Sequence, residues 1–420
     1  MNYDNSLAYA QAQDEADELR GFRERFHLPL QENGQPYLYF CGNSLGLQPI
    51  HTAAAIQQEL SDWAQLGVEG HFRGPTPWMP YHEFLTEHMA KVVGAKPIEV
   101  VVMNTLTVNL HLMMVSFYRP TPDRYKILIE YDAFPSDKYA MASQLKFHGY
   151  DPSGGLIELH AREGEACLRM DDLEQVIAEQ GDEIALIMLG NPNYYSGQFF
   201  DMQQIAAWGH AKGCLVGFDC AHGAGNRPLN LHDSGADFAV WCSYKYLNSG
   251  PGSLAGCFVH ERHAHRKDLA RFAGWWGHNK ETRFRMRDDF DPIPGAEGWQ
   301  LSNPPILSMA AVKASLEVFA EAGIERLRAK SIRLTGYLEY LLQQLPTDRI
   351  RIITPTDPAQ RGCQLSIQVQ DANKQLYEQI SSAGVIADWR EPDVIRVAPT
   401  PLYNTFEEVY RFRDILAKYL

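Results

Sequence analysis

Two side chains of opposite charge each follow a short apolar run in the middle of the chain. Asp219 comes directly after residues 214–218 in the segment GFDCAHGAGN, and Lys245 follows residues 237–241 in the segment WCSYKYLNSGPG. A buried carboxylate can hold a heteroaromatic nitrogen in its protonated form, and a lysine amine can bind an aldehyde as a Schiff base and move a proton. Together the two groups indicate catalysis through an aldehyde cofactor that withdraws electrons from a substrate carbon.

The surroundings of Lys245 favour this chemistry over a structural role. A pair of one Asp and one Lys is most often a surface ion pair, which has no chemical function. Lys245, however, stands in an aromatic and glycine-rich turn between Tyr244 and Tyr246, and such a turn is an unusual setting for a solvent-exposed lysine. We therefore predict that the cofactor is pyridoxal 5'-phosphate (PLP), bound by Lys245 and Asp219.

Two further segments contain groups suited to the phosphate and the ring of this cofactor. Residues 104–109, Asn-Thr-Leu-Thr-Val-Asn, lead from an apolar run into a helix-like run, where hydroxyl and free backbone N–H groups could bind a phosphate. The alternative for this segment is a plain helix cap. Residues 133–137, Ala-Phe-Pro-Ser-Asp, follow another apolar run, and Phe134 could stack on the cofactor ring.

Short runs rich in β-branched residues alternate with helix-like stretches between about residues 95 and 260. Because these runs are apolar on both faces, they predict an α/β fold with a mainly parallel central sheet covered by helices. In such sheets ligands bind at the carboxyl ends of the strands, which is where the segments described above lie. The predicted strands are residues 99–103, 126–130, 184–189, 214–218, 237–241 and 255–259.

The pattern changes after about residue 308 and predicts a second, smaller domain of the α+β type. Thr405 and Glu408 form a capping-box pattern ahead of a final amphipathic helix. The other predicted elements of this domain are helices at 308–327 and 332–344 and strands at 364–370 and 394–398. The predicted parts of the chain are an N-terminal segment, 1–50, that packs with the small domain, a large PLP-binding domain, 51–307, and the small domain, 308–420.

Composition restricts the partners and the location of the protein. The 38 basic and 52 acidic residues give a net charge of −14, which disfavours binding to nucleic acid or to an anionic membrane. No transmembrane stretch and no signal-peptide pattern is found, so we predict a cytoplasmic location. The seven cysteines contain no CxxC pair and indicate neither a disulfide framework nor a metal site. We interpret His260, His263 and His265 as a solvated surface segment rather than as metal ligands.

Segments along nearly the whole chain resemble the kynureninase family, and they occur in one order. The resemblance implies PLP fold type I, of the aspartate aminotransferase superfamily. It also implies hydrolysis of the Cβ–Cγ bond of L-kynurenine and 3-hydroxy-L-kynurenine, which gives anthranilate or 3-hydroxyanthranilate and L-alanine. The segments are FCGNSLGLQP (40–49), MNTLTVNLHLMM (103–114), FPSDKYA (134–140), GFDCAHGAGN (217–226), CSYKYLNSGPG (242–252), GWWGH (274–278), TRFRM (282–286), LSNPPI (301–306) and RVAPTPLYN (396–404).

The same resemblance implies roles for individual residues. Lys245 would bind the cofactor and move the Cα proton, Asp219 would pair with the pyridinium nitrogen, and Tyr244 would complete the catalytic set. Arg396 would clamp the substrate α-carboxylate through two parallel hydrogen bonds. The implied cofactor-binding residues are Leu106, Thr107, Phe134, Pro135, Ser136, Asp137, Asp219, His222, Tyr244, Lys245, Trp275 and Asn303. Trp275 and Asn303 would reach the site across the interface of a homodimer.

Two further consequences of the resemblance concern the substrate and one departure from the family. His71 and Asn303 match positions that line the aryl pocket in family members favouring the hydroxylated substrate, so a preference for 3-hydroxykynurenine is expected. The alternative is that His71 only caps a loop and Asn303 only begins a turn. Gly190 stands where some members have a hydroxyl residue near the cofactor. The polar contact made there is missing or replaced, and residues 194–196 are candidates to replace it.

Other functions are considered beside this one. A cysteine desulfurase needs a catalytic cysteine on a mobile loop, and no cysteine here is expected in such a loop. An aminotransferase is a further alternative on the same fold. A regulator that has lost catalysis is disfavoured because Lys245, Asp219 and Arg396 are all present. The resemblance implies tryptophan degradation and supply of the NAD precursor quinolinate as pathways, and the sequence does not separate a catabolic from a biosynthetic role.

Overall fold

The computed structural model describes residues 2–131 and 133–420. Among these residues, no helix is both long and apolar enough to cross a membrane. The α-helices, in chain order, are α1 (Leu7–Glu15), α2 (Thr52–Leu66), α3 (Glu83–Val93), α4 (Leu106–Phe117), α5 (Pro135–Phe147), α6 (Pro152–Gly155), α7 (Met170–Gln180), α8 (Met202–Ala211), α9 (Leu231–Ser234), α10 (Ile306–Ala322), α11 (Ile324–Gln343), α12 (Lys374–Ser382) and α13 (Phe406–Tyr419).

The strands alternate with these helices through the middle of the chain. They are β1 (Leu38–Tyr39), β2 (Val100–Met103), β3 (Lys126–Glu130), β4 (Leu156–Leu159), β5 (Ile184–Gly190), β6 (Leu215–Asp219), β7 (Phe238–Cys242), β8 (Ala255–Val259), β9 (Ile350–Ile352), β10 (Leu365–Val369), β11 (Val385–Ile386), β12 (Asp388–Arg390) and β13 (Val394–Val397). Short 3-10 helices lie at Arg20–Arg25, Gly67–His71, Pro97–Glu99, Glu261–His263, Trp275–Gly277, Arg283–Arg285, Ala296–Trp299 and Pro358–Gln360.

A seven-stranded sheet forms the centre of the large domain, in the order β2-β8-β7-β6-β5-β3-β4. All neighbours from β7 to β4 are parallel, whereas β8 is antiparallel to both β2 and β7. Every residue of β7 and β8 is buried, as expected for strands that are covered on both faces. The prediction of a mainly parallel sheet is thus confirmed.

Helices cover the two faces of this sheet and form its cores. On one face, α10 packs against α2 and α3. On the other, α4 packs against α5, β7 and β8. The Phe117 ring of α4 stacks on the Phe238 ring of β7 with 5.3 Å between their centres. Burial of such large apolar side chains between helix and sheet is the main stabilising contribution in a fold of this kind.

A four-stranded antiparallel sheet, in the order β12-β13-β10-β9, forms the centre of the small domain. Helices α11 and α13 pack together beside it. The N-terminal part of the chain contacts this domain twice, because β1 pairs in parallel with β11 and α1 packs against α13. The limits of the three parts, 1–50, 51–307 and 308–420, stay a prediction.

The predicted strands agree with the structure to within one residue at each end. Asp219 therefore is the last residue of β6 rather than the first residue after it. Strand β4 is not predicted from the sequence. It lies at the edge of the sheet and is only half-buried along most of its length, so it lacks the continuous apolar run of the inner strands.

One predicted helix, 308–327, is wrong in its extent. Gly323 has a positive φ of 77°, which ends α10 at Ala322, and a new helix, α11, begins at Ile324. Glycine adopts a positive φ at little steric cost, so it is common where a helix ends. The predicted helix 332–344 is part of α11, which ends one residue earlier than predicted, at Gln343. The capping box before α13 is confirmed, since the Thr405 hydroxyl accepts a hydrogen bond of 3.1 Å from the Glu408 backbone N–H.

The interpretation of the three histidines as a solvated segment is wrong for His263. This side chain is buried, and its Nε2 lies 2.8 Å from the carboxylate of Asp237. A buried carboxylate needs hydrogen-bonding partners, and Asp237 also receives the Val216 backbone N–H at 2.8 Å. His260 is half-buried and stacks on His232, with ring centres 5.2 Å apart, whereas His265 is exposed.

Candidate active site

A cavity opens at the carboxyl ends of the parallel strands of the large domain. Asp219 ends β6 and Lys245 follows shortly after β7, so two adjacent strands deliver the two groups to one place. The cavity and the solvent at its mouth together make up about 540 Å³ of empty space. Its lining residues are Leu106, Thr107, Glu130, Phe134, Ser136, Asp137, Gly190, Pro192, Tyr194, Asp219, Ala221, His222, Tyr244 and Lys245. The residues on which the sequence-based prediction depended most are therefore brought together.

The turn that contains Lys245 is held by the N-terminal segment of the chain. The Gly46 backbone N–H donates to the Tyr244 carbonyl at 2.8 Å, and the Asn248 N–H donates to the Lys245 carbonyl at 2.9 Å. A Cβ atom at Gly46 would collide with the Lys245 carbonyl oxygen, so only glycine permits this close approach. The Lys245 ammonium group lies 5.9 Å from the centre of the Phe134 ring and 5.8 Å from that of Tyr244.

Two carboxyl groups face Lys245 inside the cavity. Asp219 accepts a hydrogen bond of 2.7 Å from the Ala221 N–H, and its side chain also bonds to that of Asp137. Burial raises the pKa of Asp219, although the positive charge of Lys245 opposes this shift. The pKa of Asp137 is raised well above its usual value by burial and by the neighbouring Asp219 charge. Burial and the repulsion between the two negative charges therefore disfavour a state in which both carboxyl groups are ionised.

His222 lies beside this pair as a neutral side chain. It is buried, and desolvation together with the Lys245 charge lowers its pKa well below the usual value. Its Nδ1 atom has no hydrogen-bond partner within the described part of the chain, and neither has Oδ1 of Asp137. Buried polar atoms are rarely left unpaired in proteins. These two atoms therefore indicate that a polar ligand completes the site.

The first turns of two helices meet at another wall of the cavity. Thr107 stands in the first turn of α4 and Ser136 in that of α5, and their hydroxyl oxygens are 3.0 Å apart. Free backbone N–H groups and the positive end of the helix dipole favour an anion at such a position. Two helix starts with a hydroxyl each make a cradle suited to a phosphate group.

Aromatic rings and an arginine lie on the side of the small domain. Phe134 is 43% exposed, and its ring meets that of Tyr194 edge-on at 5.2 Å between centres. Arg396 is buried, donates to the Tyr194 carbonyl at 2.6 Å and forms an ion pair with Asp388. Asp388 also contacts Arg390, at 3.1 Å. Arg396 thus lies behind Tyr194, and the Asp388 carboxylate neutralises it.

Besides Arg396, four predicted site residues do not line the cavity within this chain. Pro135 is the first residue of α5, next to two residues that do line it. Trp275 is 40% exposed and donates through its indole N–H to the Arg283 carbonyl at 3.2 Å. Asn303 is exposed. His71 is half-buried and packs edge-on against Trp78, with 5.3 Å between ring centres.

Sequence reasoning missed Glu130, which lines the cavity and is buried. Its carboxyl group accepts hydrogen bonds from the Gly190 N–H, at 3.1 and 3.3 Å for its two oxygens. The signal was present, because Glu130 is an acid at the carboxyl end of a buried strand, like Asp219. The sequence pattern points instead to residues 194–196 as the polar groups nearest to Gly190.

The cavity suits PLP in its main features. It offers a lysine for the aldehyde, a carboxylate for the ring nitrogen, an aromatic ring for stacking and a cradle for the phosphate. The same fold occurs in solved structures that match almost the whole length of the chain. A cysteine desulfurase from Escherichia coli matches with a TM-score of 0.74 and 17% identity, covering 96% of this chain and 97% of the other. A C-DES variant with glycine covalently linked to its PLP cofactor matches with a TM-score of 0.74 and 16% identity, covering 94% and 98%. The fold is that of the PLP-dependent enzymes of fold type I.

Sequence comparison identifies the particular family. The kynureninase of Myxococcus xanthus is 60% identical over 98% of this chain and 96% of its own length. That of Koribacter versatilis is 57% identical over 98% and 97%. Residues 327–416 match the model of the kynureninase C-terminal domain. The chain belongs to the kynureninase family.

Proposed function

We propose that this protein catalyses the kynureninase reaction with PLP as its cofactor. Water would cleave the Cβ–Cγ bond of L-kynurenine or 3-hydroxy-L-kynurenine. The Cγ carbonyl carbon gains the oxygen and becomes the carboxylate of an anthranilate, while Cβ gains a proton and becomes the methyl group of L-alanine. The observation that carries the proposal is the meeting of Lys245 and Asp219 in one cavity of a chain 60% identical to a named kynureninase.

The residues of the chain would place the substrate and move protons. Bound PLP supplies the electron sink for negative charge at Cα and Cβ. Lys245 would face the reacting carbon and move the proton at Cα. Asp219 would keep the ring nitrogen protonated by pairing its carboxylate with that nitrogen. Neutral His222 has a free Nδ1 to offer as a hydrogen-bonding atom without adding a positive charge.

Arg396 would bind the substrate α-carboxylate. In the structure its guanidinium is paired with Asp388 and with the Tyr194 carbonyl. A substrate carboxylate would take the place of Asp388, which remains within 3.1 Å of Arg390 and can keep that partner. Such an exchange would leave no buried charge unpaired, and this matters because an unpaired buried charge costs several kcal/mol.

The deciding experiment is an assay of the purified protein, saturated with PLP, on kynurenine, 3-hydroxykynurenine and cysteine. With a thiol reductant present in every assay, we expect equal amounts of an anthranilate and of alanine from the first two substrates and no sulfide from cysteine. Five of the cysteines are buried and the other two, Cys41 and Cys167, are half-buried, which does not favour a persulfide-forming thiol. Sulfide and alanine from cysteine, without anthranilate from kynurenine, would contradict the proposal.

We also propose that two copies of the chain share their active sites in a homodimer. Trp275 and Asn303 lie outside the cavity of their own chain, and large apolar side chains near Trp275 are exposed: Phe284 by 57% and Met286 by 70%. Exposed apolar clusters of this kind are typical of interfaces.

Co-expression of two inactive variants tests the shared site. Lys245→Ala and Trp275→Ala chains carrying different tags would be purified as mixed dimers. If the site is shared, one of the two cavities in a mixed dimer has both an intact lysine and an intact tryptophan, and activity returns. If both residues act within one chain, each cavity is defective and the mixed dimer stays as inactive as its parents.

A preference for 3-hydroxykynurenine over kynurenine, of about tenfold or more in kcat/KM, is the expected result of comparing the two substrates. The proposed reason is that Asn303 and His71 bind the ring hydroxyl, and an unpaired buried polar group costs about 1 to 3 kcal/mol. Asn303→Thr should bring the kcat/KM values of the two substrates closer together, because it lowers the value for the hydroxylated substrate. Asn33→Thr, at an exposed position, serves as control. A wild-type preference for plain kynurenine would show that these residues do not recognise the hydroxyl.

A further inference from the structure

The Glu130 side chain lies in the cavity wall beside residue 190, which is a glycine and has no side chain of its own. It ends β3, the neighbour of β5 in the central sheet, and Gly190 ends β5. Both oxygens of Glu130 lie within hydrogen-bonding distance of the Gly190 N–H. A Cβ atom built on Gly190 would lie 2.8 Å from one of these oxygens, which is closer than real atoms of this kind approach. The carboxyl group therefore takes the space of a side chain at residue 190.

The same hydrogen bond holds a strand end that pairs with the backbone of Asp219, whose side chain faces Lys245. Gly190 is paired with Asp219 in the register of β5 and β6, and the next residue, Asn191, donates its N–H to the Asp219 carbonyl at 2.7 Å. Glu130 also accepts a hydrogen bond from the side chain of Asn193. It thus binds the end of β5 and the turn that follows, and both lie against the backbone of Asp219.

We propose that Glu130 is a positioning residue of this active site, whose carboxyl group replaces a side chain at residue 190 and holds the end of β5 in register with Asp219. The proposal rests on the function proposed above, because it concerns the same cavity. It explains why residue 190 is a glycine when residue 130 is a glutamate, because a larger side chain at residue 190 would displace the carboxyl group from its present position.

The charged groups that face Glu130 make its role dependent on pH. Asp219 on β6, Asp137 on α5 and the more distant Lys245 act on the carboxyl groups of the cavity. Burial and the Asp219 charge raise the pKa of Glu130 to about 7. Glu130 therefore gains a negative charge as the pH rises through neutrality, next to the carboxylate that pairs with the cofactor.

A double-mutant cycle tests whether the Glu130 carboxyl group takes the place of a side chain at residue 190. PLP affinity would be measured for wild type, Glu130→Ala, Gly190→Ser and the double variant, from the absorbance of the bound cofactor. Each single change should weaken PLP binding by about tenfold. Glu130→Ala removes the carboxyl group that holds the end of β5, and Gly190→Ser places a side chain that collides with this carboxyl group. The double variant should bind PLP better than either single variant, because serine then has both space and a polar group to offer. Losses that simply add would overturn the proposal.

A second measurement separates the charge of Glu130 from its packing. Glu130→Gln keeps the size of the side chain and an oxygen for the Gly190 N–H, but it cannot ionise. We expect the cofactor absorbance of this variant to lose the part of its pH dependence that lies around pH 7. Glu158→Gln, on the adjacent β4 and outside the cavity, is the matched control and should titrate like wild type.

An identical titration of Glu130→Gln and wild type would overturn the proposal. Both measurements follow bound PLP rather than turnover. They therefore remain informative if the substrate of the enzyme is not a kynurenine, and failure of the proposed function can be distinguished from failure of the role of Glu130.

Discussion

Replacing Lys245 with alanine is expected to abolish anthranilate production and to remove the absorbance of the bound cofactor at about 420 nm. The lysine provides covalent attachment and the proton transfer at Cα, and no second amine lines the described cavity wall. The protein should stay folded, because the Lys245 side chain is half-buried and contributes chemistry rather than packing. Absorbance spectra, a thermal unfolding curve and the anthranilate assay on one preparation check all three expectations.

The control for this experiment is Lys267→Ala, which removes an exposed lysine that pairs with Asp291 at the surface. This variant should keep both the absorbance and the activity of wild type. An active Lys245→Ala protein would refute the assignment of the catalytic lysine. Loss of activity together with loss of the unfolding transition would instead show that the change had disrupted the fold.

Arg396→Lys is expected to raise KM strongly and to lower kcat/KM. The corresponding loss of transition-state stabilisation should be about 2 to 4 kcal/mol. A lysine is a point charge on a flexible stem, so it cannot reproduce the two parallel hydrogen bonds that a guanidinium makes to a carboxylate. It would also weaken the hydrogen bonds to the Tyr194 carbonyl and to Asp388 that hold the buried Arg396 in place. Steady-state kinetics with kynurenine provide the test.

Arg411→Lys is the matched control, since Arg411 is an exposed arginine of α13 in the same domain. Its kinetics should equal those of wild type. PLP affinity should be unchanged in Arg396→Lys, because this side chain does not line the cavity and is proposed to bind the substrate only. An unchanged kcat/KM would show that another residue binds the carboxylate. A large loss of PLP binding would show that Arg396 supports the cofactor site instead.

Part of this site could be predicted from local sequence alone. Asp219 and Lys245 each follow an apolar run, and runs of this kind form parallel strands whose carboxyl ends meet at one edge of a sheet. Asp219 and Lys245 are therefore expected to meet at this edge of the sheet, whatever the arrangement of the other segments. Thr107 and Ser136 were predictable for a similar reason, because each stands at a helix start that follows a strand.

Interactions between segments far apart in the chain decided the rest. Gly46 supports the turn of Lys245, and Asp388 neutralises Arg396, but neither pairing has a signal in the local pattern of residues. The same applies to His263, whose burial depends on the distant carboxylate of Asp237.

Gly190 shows the difference most clearly. The resemblance to the family indicated only that residue 190 lacks the hydroxyl side chain that some members have near the cofactor. The tertiary structure places the Glu130 carboxyl group, from a neighbouring strand, in that space. Periodicity and spacing determine which elements form and which of their ends carry chemistry. The packing of strands side by side determines which side chains share one volume, because two groups cannot occupy the same space and a buried polar group must find a partner.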